Sequence, residues 1–435
     1  MKPSLKNSFL LPLLFVVLLC CRGVGIYAQG QQTVAYPPSP IPDRIVLNVT
    51  EDLSTSMAVT WRTSRDVSAG AAQIAIADAN PAFAGSAKTV TAATHSLHVE
   101  EVGANYHAVV FNGLRPNTTY AYRVGNGEYW SEWLHFTTAG NRGEKLTFLY
   151  FGDVQANIRP LWSRVIRHAY RVAPEARLAL YGGDLVNRAN RDVEWGEWFA
   201  AGGFIHGEVP AMPTPGNHDH ADTEQGDDRI SVFWRPQFTL PENGPSGLEE
   251  SCYFIDVQGV RFISINTERY DVSNDDRKNQ REWLERLLAD NPNRWTCVVM
   301  HHPIYSTKRN RDNAELRKDL KPLFDRYGVD LVLQGHDHTY ARGMTSIPMD
   351  DGKSSGTMYV VSVSGPKMAD VLQADWMERS ADHTQLFHVI DIENDVLRFR
   401  ALTATGERYD EFELHKTPGG INRLVNQIPI HAGSQ

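Results

Sequence analysis

The spacing of apolar positions changes along this chain, and each change predicts a different kind of element. From residue 44 to about 139 they alternate with polar ones. Met57, Val59 and Trp61 fall on one side of 56–63, and Tyr120, Tyr122 and Val124 on one side of 119–124. A period of two predicts short, half-buried strands. Beyond residue 144 the apolar runs become continuous, at 146–151, 178–181, 298–300 and 329–333. Continuous runs of that length predict strands buried on both faces. Between them, Leu161, Val165, Ala169 and Val172 repeat at helical spacing, as do Leu316, Leu320, Leu323, Phe324 and Tyr327. A further helix is expected over 279–290, where Trp283, Leu284, Leu287 and Leu288 lie on one side and Glu282 can pair with Arg286. Gly328 is placed to stop the 316–327 helix. Two hairpins are expected, 251–257 with 260–266 and 387–392 with 396–402. The predicted fold is multidomain: an all-β sandwich over 44–139, a linker, then an α/β domain over 144–416 with two packed mixed sheets between helices.

The first residues change that picture only at the end of the chain. Lys2 and Lys6 precede a nearly all-apolar run, 9–20, too short to span a bilayer. With Ile26-Tyr-Ala28 as a cleavage site, 1–28 reads as a signal peptide, which predicts a secreted or periplasmic protein with no stable membrane span. A lipid anchor is disfavoured because Leu19 and Cys20, rather than small residues, stand before Cys20 and Cys21. Cys252 and Cys297 then remain, too few for a disulfide scaffold. A buried free thiol is expected at Cys297, with a 252–297 bridge as the alternative. Hydrophobic residues make up 42% and charged ones 22% of 435, so a sizeable core is available. The net charge of −9 offers no basic field for nucleic acid.

Candidate chemistry sits directly after the buried strands. The 146–151 run leads into Gly152-Asp153, and 178–181 into Gly182-Gly-Asp184. The stretch after Val209 gives Pro215-Gly-Asn217-His218-Asp219. The run at 298–300 ends in His301-His302, and 329–333 in Gly335-His336-Asp-His338. Ligands in α/β folds collect beyond the carboxyl ends of strands. Asp, Asn and His are donors for a divalent or trivalent metal. Each fragment alone is an ordinary turn; five in succession predict a metal site.

Together these blocks resemble the calcineurin-like metallophosphoesterase superfamily. With a sandwich ahead of them they resemble its purple acid phosphatase branch, whose N-terminal domain is similar to fibronectin type III. Leu114-x-Pro116-x-Thr118-x-Tyr120 is similar to the tyrosine corner of such sandwiches. The resemblance implies two metal ions, drawn from Fe, Mn and Zn. Asp153, Asp184 and His338 would hold the first; Asp184, Asn217, His301 and His336 would hold the second. It implies hydrolysis of a small phosphate monoester by metal-bound hydroxide. His218 would act as a catalytic residue on the phosphoryl or leaving group, with Asp219 orienting its ring. A phosphodiesterase on the same site is the alternative enzyme. A surface-binding protein with a relic catalytic domain is the alternative from another class.

Two departures from that pattern matter. The purple enzymes place a ferric-binding tyrosine where this chain has Asn187, and many relatives place a histidine where it has Gln155. The first metal's remaining position therefore falls to Gln155, Asn187 or water. Where plant and animal members carry further histidines after the fourth block, 306–312 offers Lys308, Arg309 and Arg311, either solvated or on the substrate. His220 and His302 lie near the site without an assigned role. The insertion at 219–250, with Phe233, Trp234, Phe238 and the acidic Asp222, Glu224, Asp227 and Asp228, has the length of a specificity loop. Trp195, Trp198 and Phe199 are expected in the core.

Overall fold

The computed structural model describes residues 34–222, 228–348, 354–417 and 420–427. The expected signal peptide, 1–28, lies outside them, as do Glu224 and Asp227. The N-terminal strands form two antiparallel sheets. One holds Asp43–Asn48, Ser56–Ser64, Val102–Asn112 and Ala93–Val99; the other holds Lys88–Thr91, Ala71–Ile76, Thr119–Gly125 and Leu134–Thr137. Trp61 is buried and stacks on His107 at 5.2 Å, and Tyr120 Oη accepts the Arg115 N–H at 2.8 Å to close the corner. Met57, Val59 and Trp61 thus serve the sandwich core, but the strand is not half-buried as expected: Thr60 and Arg62 on its other face are buried too, against Gln237 and Asp192.

The α/β region has helices outside and two sheets inside. In the first sheet Leu146–Phe151, Ala179–Tyr181 and Ala211–Pro213 run parallel. In the second, Val260–Ile265, Trp295–Met300, Leu331–Gln334 and Ser354–Val361 run parallel. The continuous apolar runs have a physical reason here. Phe262, Cys297, Val299, Leu331, Leu333, Met358 and Val360 enter the core between the sheets, where Phe148 meets Phe262 edge-on at 5.0 Å. Their neighbours Ile263, Val298, Met300, Val332 and Tyr359 point the other way, against Leu284, Leu288, Leu320 and Phe324 of the outer helices. Burying each such side chain contributes roughly 1.5–3 kcal/mol. Cys252 and Cys297 are free and buried, so the bridge does not form.

Three expectations change. The sandwich and the α/β domain are not separate at the sheet level. Asp43–Asn48 pairs parallel with Ala211–Pro213, with Val49 N–H donating to Ala211 O at 3.1 Å, and this makes one eleven-stranded sheet. An unpaired edge strand would leave backbone groups unsatisfied, and here each edge satisfies the other. The helix expected from residue 279 begins earlier, as Asn274–Ala289. Ser273 caps it by accepting from Asp276 N, and a polar first turn is invisible to apolar periodicity. The insertion aromatics are core rather than a specificity loop. Phe233, Trp234 and Phe238 are buried, and Gln237 O accepts from Thr60 Oγ1 of the sandwich.

Candidate metal centre

The first sheet ends in oxygen donors and the second in imidazoles, and the two sets meet between the sheets. Asp153 and Asp184 follow Leu146–Phe151 and Ala179–Tyr181, and Asn217 follows Ala211–Pro213. His301 follows Trp295–Met300; His336 and His338 follow Leu331–Gln334. His301 Nε2 lies 3.3 Å from Asp184 Oδ1, 3.1 Å from Asn217 Oδ1 and 3.1 Å from His336 Nδ1. His301 Nδ1 donates to Gly182 O at 2.8 Å, so Nε2 is the ring nitrogen that faces the cluster. Beside it, Asp153, Asp184 and His338 bring one donor atom each to within 4.8 Å of one another. Asp184 belongs to both groups, so the residues expected as ligands stand as two donor groups that share one carboxylate, with Asn217 beside the second.

Local backbone explains how such short loops aim so many side chains. Asp184, His336 and His338 have φ of 53°, 71° and 57°. Non-glycine residues reach this left-handed region at a cost of about 1–3 kcal/mol each, which the surrounding structure must offset. Gly335 itself is not the strained residue. It is needed for space: a Cβ there would lie 2.5 Å from Asp153 Oδ2. Its neighbour's N–H, from His336, donates to that same oxygen at 2.7 Å. Gly216 is needed likewise, since a Cβ would meet Asp184 Oδ1 at 2.3 Å.

The residues around the donors divide differently from expectation. His218 is half-buried, and its Nδ1 donates to Asn187 O at 2.8 Å. The ring is therefore oriented by a backbone carbonyl, not by Asp219. The buried Asp219 carboxylate turns to the backbone, accepting from Leu185 N at 3.0 Å and Gly216 N at 2.9 Å. Burial and the Asp184 charge raise it to about 8. It fixes the loop that carries Asn217. His220 holds the same loop by donating to Gly216 O at 2.9 Å, and burial keeps it low, at about 4. His302 lies tilted against His336, ring centroids 4.2 Å apart, with Thr267 Oγ1 2.9 Å from its Nδ1.

Arg311 is committed elsewhere than the substrate. It pairs with buried Asp337 at 2.6 Å, and Asp337 also accepts from Ser306 Oγ and Thr307 N. That carboxylate ties the 306–311 stretch to the loop bearing His336 and His338. Lys308 is half-buried and makes no ion pair among the described residues, and Arg309 is exposed. At the first site, Gln155 turns its amide nitrogen toward Asp184 Oδ2 and His338 Nε2. Its oxygen accepts from Lys367 Nζ at 2.8 Å, and Lys367 also lies 3.4 Å from His218 Nε2. Asn187 contributes its carbonyl to His218. The sequence reading passed over Lys367 and Asp337. Lys367 follows Ser354–Val361, a parallel strand whose apolar run Met358-Tyr-Val-Val361 is not directly followed by a metal-binding residue type.

The donors fit a pair of metal ions. Two buried carboxylates share this space, and Asp153 Oδ1 is buried without a hydrogen bond. Burial would lower the His301 imidazole, but the Asp184 and Asp153 charges override it and hold it up at about 10. Burial and the neighbouring His302 and His301 charges push His336 down. A cluster that draws positive charge onto one imidazole and keeps another a neutral donor suits a cation.

Comparison with known proteins bears on the whole chain. Residues 42–138 match the purple acid phosphatase N-terminal domain model, and 146–340 the calcineurin-like phosphoesterase model. The uncharacterized protein Rv2577 of Mycobacterium tuberculosis is 29% identical over 400 residues, covering 79% of this chain and 72% of that protein. Acid phosphatase type 7 of Danio rerio is 30% identical over 282 residues, 57% of this chain and 60% of that protein. Purple acid phosphatase PPD1 from yellow lupin seeds has the same fold, with a TM-score of 0.72 at 18% identity, covering 88% of this chain and 75% of that one.

Proposed function

The chain is a calcineurin-like phosphoesterase with the two-domain build of the purple acid phosphatases, a metal-dependent phosphatase, and we propose that it hydrolyses phosphate monoesters after export. The observation that carries this reading is the sharing of Asp184 between two donor groups. Asp153, Asp184 and His338 would hold one metal; Asp184, Asn217, His301 and His336 would hold the other. When bound, the pair supplies positive charge for the phosphoryl oxygens and acidifies a water for attack on phosphorus.

The chain's own residues do the rest. Asp184 fixes the spacing of the two sites, and Gly182 O keeps His301 Nε2 available as a donor atom. His218, held through Nδ1 by Asn187 O, presents Nε2 beside the first site. From there it can contact the phosphoryl group or return a proton to the leaving alkoxide. The complete donor set speaks against a relic domain, because loss of function leaves no reason to keep strained histidines and close-packed glycines. Export is supported by Lys2, Lys6 and the apolar 9–20 run.

The test uses the exported chain, whose first residue should be Gln29, reconstituted in turn with Mn, Zn and Fe. Turnover of p-nitrophenyl phosphate should exceed that of bis-p-nitrophenyl phosphate by at least ~10-fold in kcat/KM, about 1.4 kcal/mol of transition-state preference. A preference for the diester would replace this reading with a phosphodiesterase.

A further inference from the structure

Lys367 is the one cation found in contact with both the first site and His218 among the described residues. Its Nζ donates to Gln155 Oε1 at 2.8 Å and lies 3.4 Å from His218 Nε2. Gln155 in turn faces Asp184 and His338, so the ammonium stands one side chain away from two candidate ligands. It has no carboxylate partner among the described residues, unlike Arg311, which is spent on Asp337. A half-buried ammonium with no carboxylate in direct contact can take an incoming anion as its partner.

The segment that carries it is built into the centre. Ser364 N and Gly365 N both donate to Asp153 O, at 3.0 and 2.6 Å, and Ala369 N donates to His338 O at 3.1 Å. A Cβ on Gly365 would lie 2.4 Å from Val154 O, so the loop sits directly against the Asp153 loop. The backbones of two first-site residues thus set the position of Lys367 on either side. A surface lysine would have no such anchoring.

We propose that Lys367 binds a non-bridging oxygen of the substrate phosphate and thereby selects the monoester dianion over the diester monoanion. This rests on the phosphatase reading above. A monoester offers one more anionic oxygen than a diester, and a fixed ammonium rewards that extra charge with a charge-assisted hydrogen bond. The family's tyrosine and histidine positions being Asn187 and Gln155, Gln155 is left free to hold Lys367 rather than a metal.

The experiment measures binding of inorganic phosphate by calorimetry, metal content, and both p-nitrophenyl esters, on the metal-loaded full chain. Lys367→Met should keep two metals per chain, weaken phosphate binding about 10- to 100-fold, lower monoester kcat/KM by a similar factor, and leave the diester within about threefold. Lys367→Arg should recover part of the phosphate affinity. Lys367→Gln, which keeps a donor for Gln155, replaces the Met variant if that one fails to fold. Unchanged phosphate affinity with both metals present would overturn the proposal. Loss of metal in step with loss of activity would overturn it too, because Lys367 would then only be supporting Gln155. A wild-type chain that cleaves neither ester refutes the phosphatase reading instead, while its phosphate calorimetry still reports on Lys367.

Discussion

The two halves of the metal centre are furnished unequally. At the second, Asn217 Oδ1, Asp184 Oδ1 and His336 Nδ1 all lie within 3.3 Å of His301 Nε2. At the first, Asp153, Asp184 and His338 are joined by Gln155, which turns its nitrogen inward and its oxygen to Lys367. Around the second half the close contacts are between candidate donors, whereas beside the first a glutamine links the donors to a cation. The difference teaches that two donor groups sharing one carboxylate can have unlike surroundings, because the residues beside the donors come from different loops.

The largest effect should come from the residue both halves share. Asp184→Asn should lose both metals and at least ~1000-fold in kcat/KM, about 4 kcal/mol of transition-state stabilisation. Near wild-type turnover with two metals bound would show that the halves are not joined through Asp184. Loosening the loop that serves both histidines should cost less. Asp337→Asn removes the charge facing Arg311 and weakens the ties to Ser306 and Thr307, so about 1–3 kcal/mol of stability should be lost. Activity should fall about tenfold as His336 and His338 lose their alignment. Thermal unfolding and kinetics check this, and an unaltered midpoint would remove the clamp role.

The smallest effect on rate should be the most diagnostic of the first half. Iron-loaded wild type should lack a strong visible band, since no tyrosine stands at position 187. Asn187→Tyr should gain one, with activity changed by less than about tenfold. A strong band in the wild type would mean that a phenolate reaches the first site by another route.

Much of the site was legible because each donor follows a buried strand, and parallel strands bring their ends to one place. Asp153, Asp184, Asn217, His301, His336 and His338 could be listed from five strand endings. The sixth ending, at Lys367, was missed although Met358-Tyr-Val-Val361 is an apolar run as long as 178–181, because no metal-binding residue type follows it directly and Lys367 stands further along the loop. The orienting role assigned to Asp219 went to the Asn187 carbonyl because backbone partners leave no mark in a sequence. Arg311 read as either solvated or on the substrate until the fold placed buried Asp337 beside it.

By itself, then, the sequence determined the period of each segment, and through it a sandwich followed by an α/β layer structure. It also determined which side chains able to bind metal would stand at strand ends. Only the tertiary structure decided how the edge strand Asp43–Asn48 would be completed, and it joined the two regions into one sheet. It also decided that Arg311 would pair with buried Asp337 while Lys367, among the described residues, would meet Gln155 and His218 and no carboxylate. Periodicity is a local property, since it follows from the 3.6- and two-residue repeats of the backbone. Charge compensation and edge pairing depend on residues far apart in the chain, and folding alone brings them within a few ångströms.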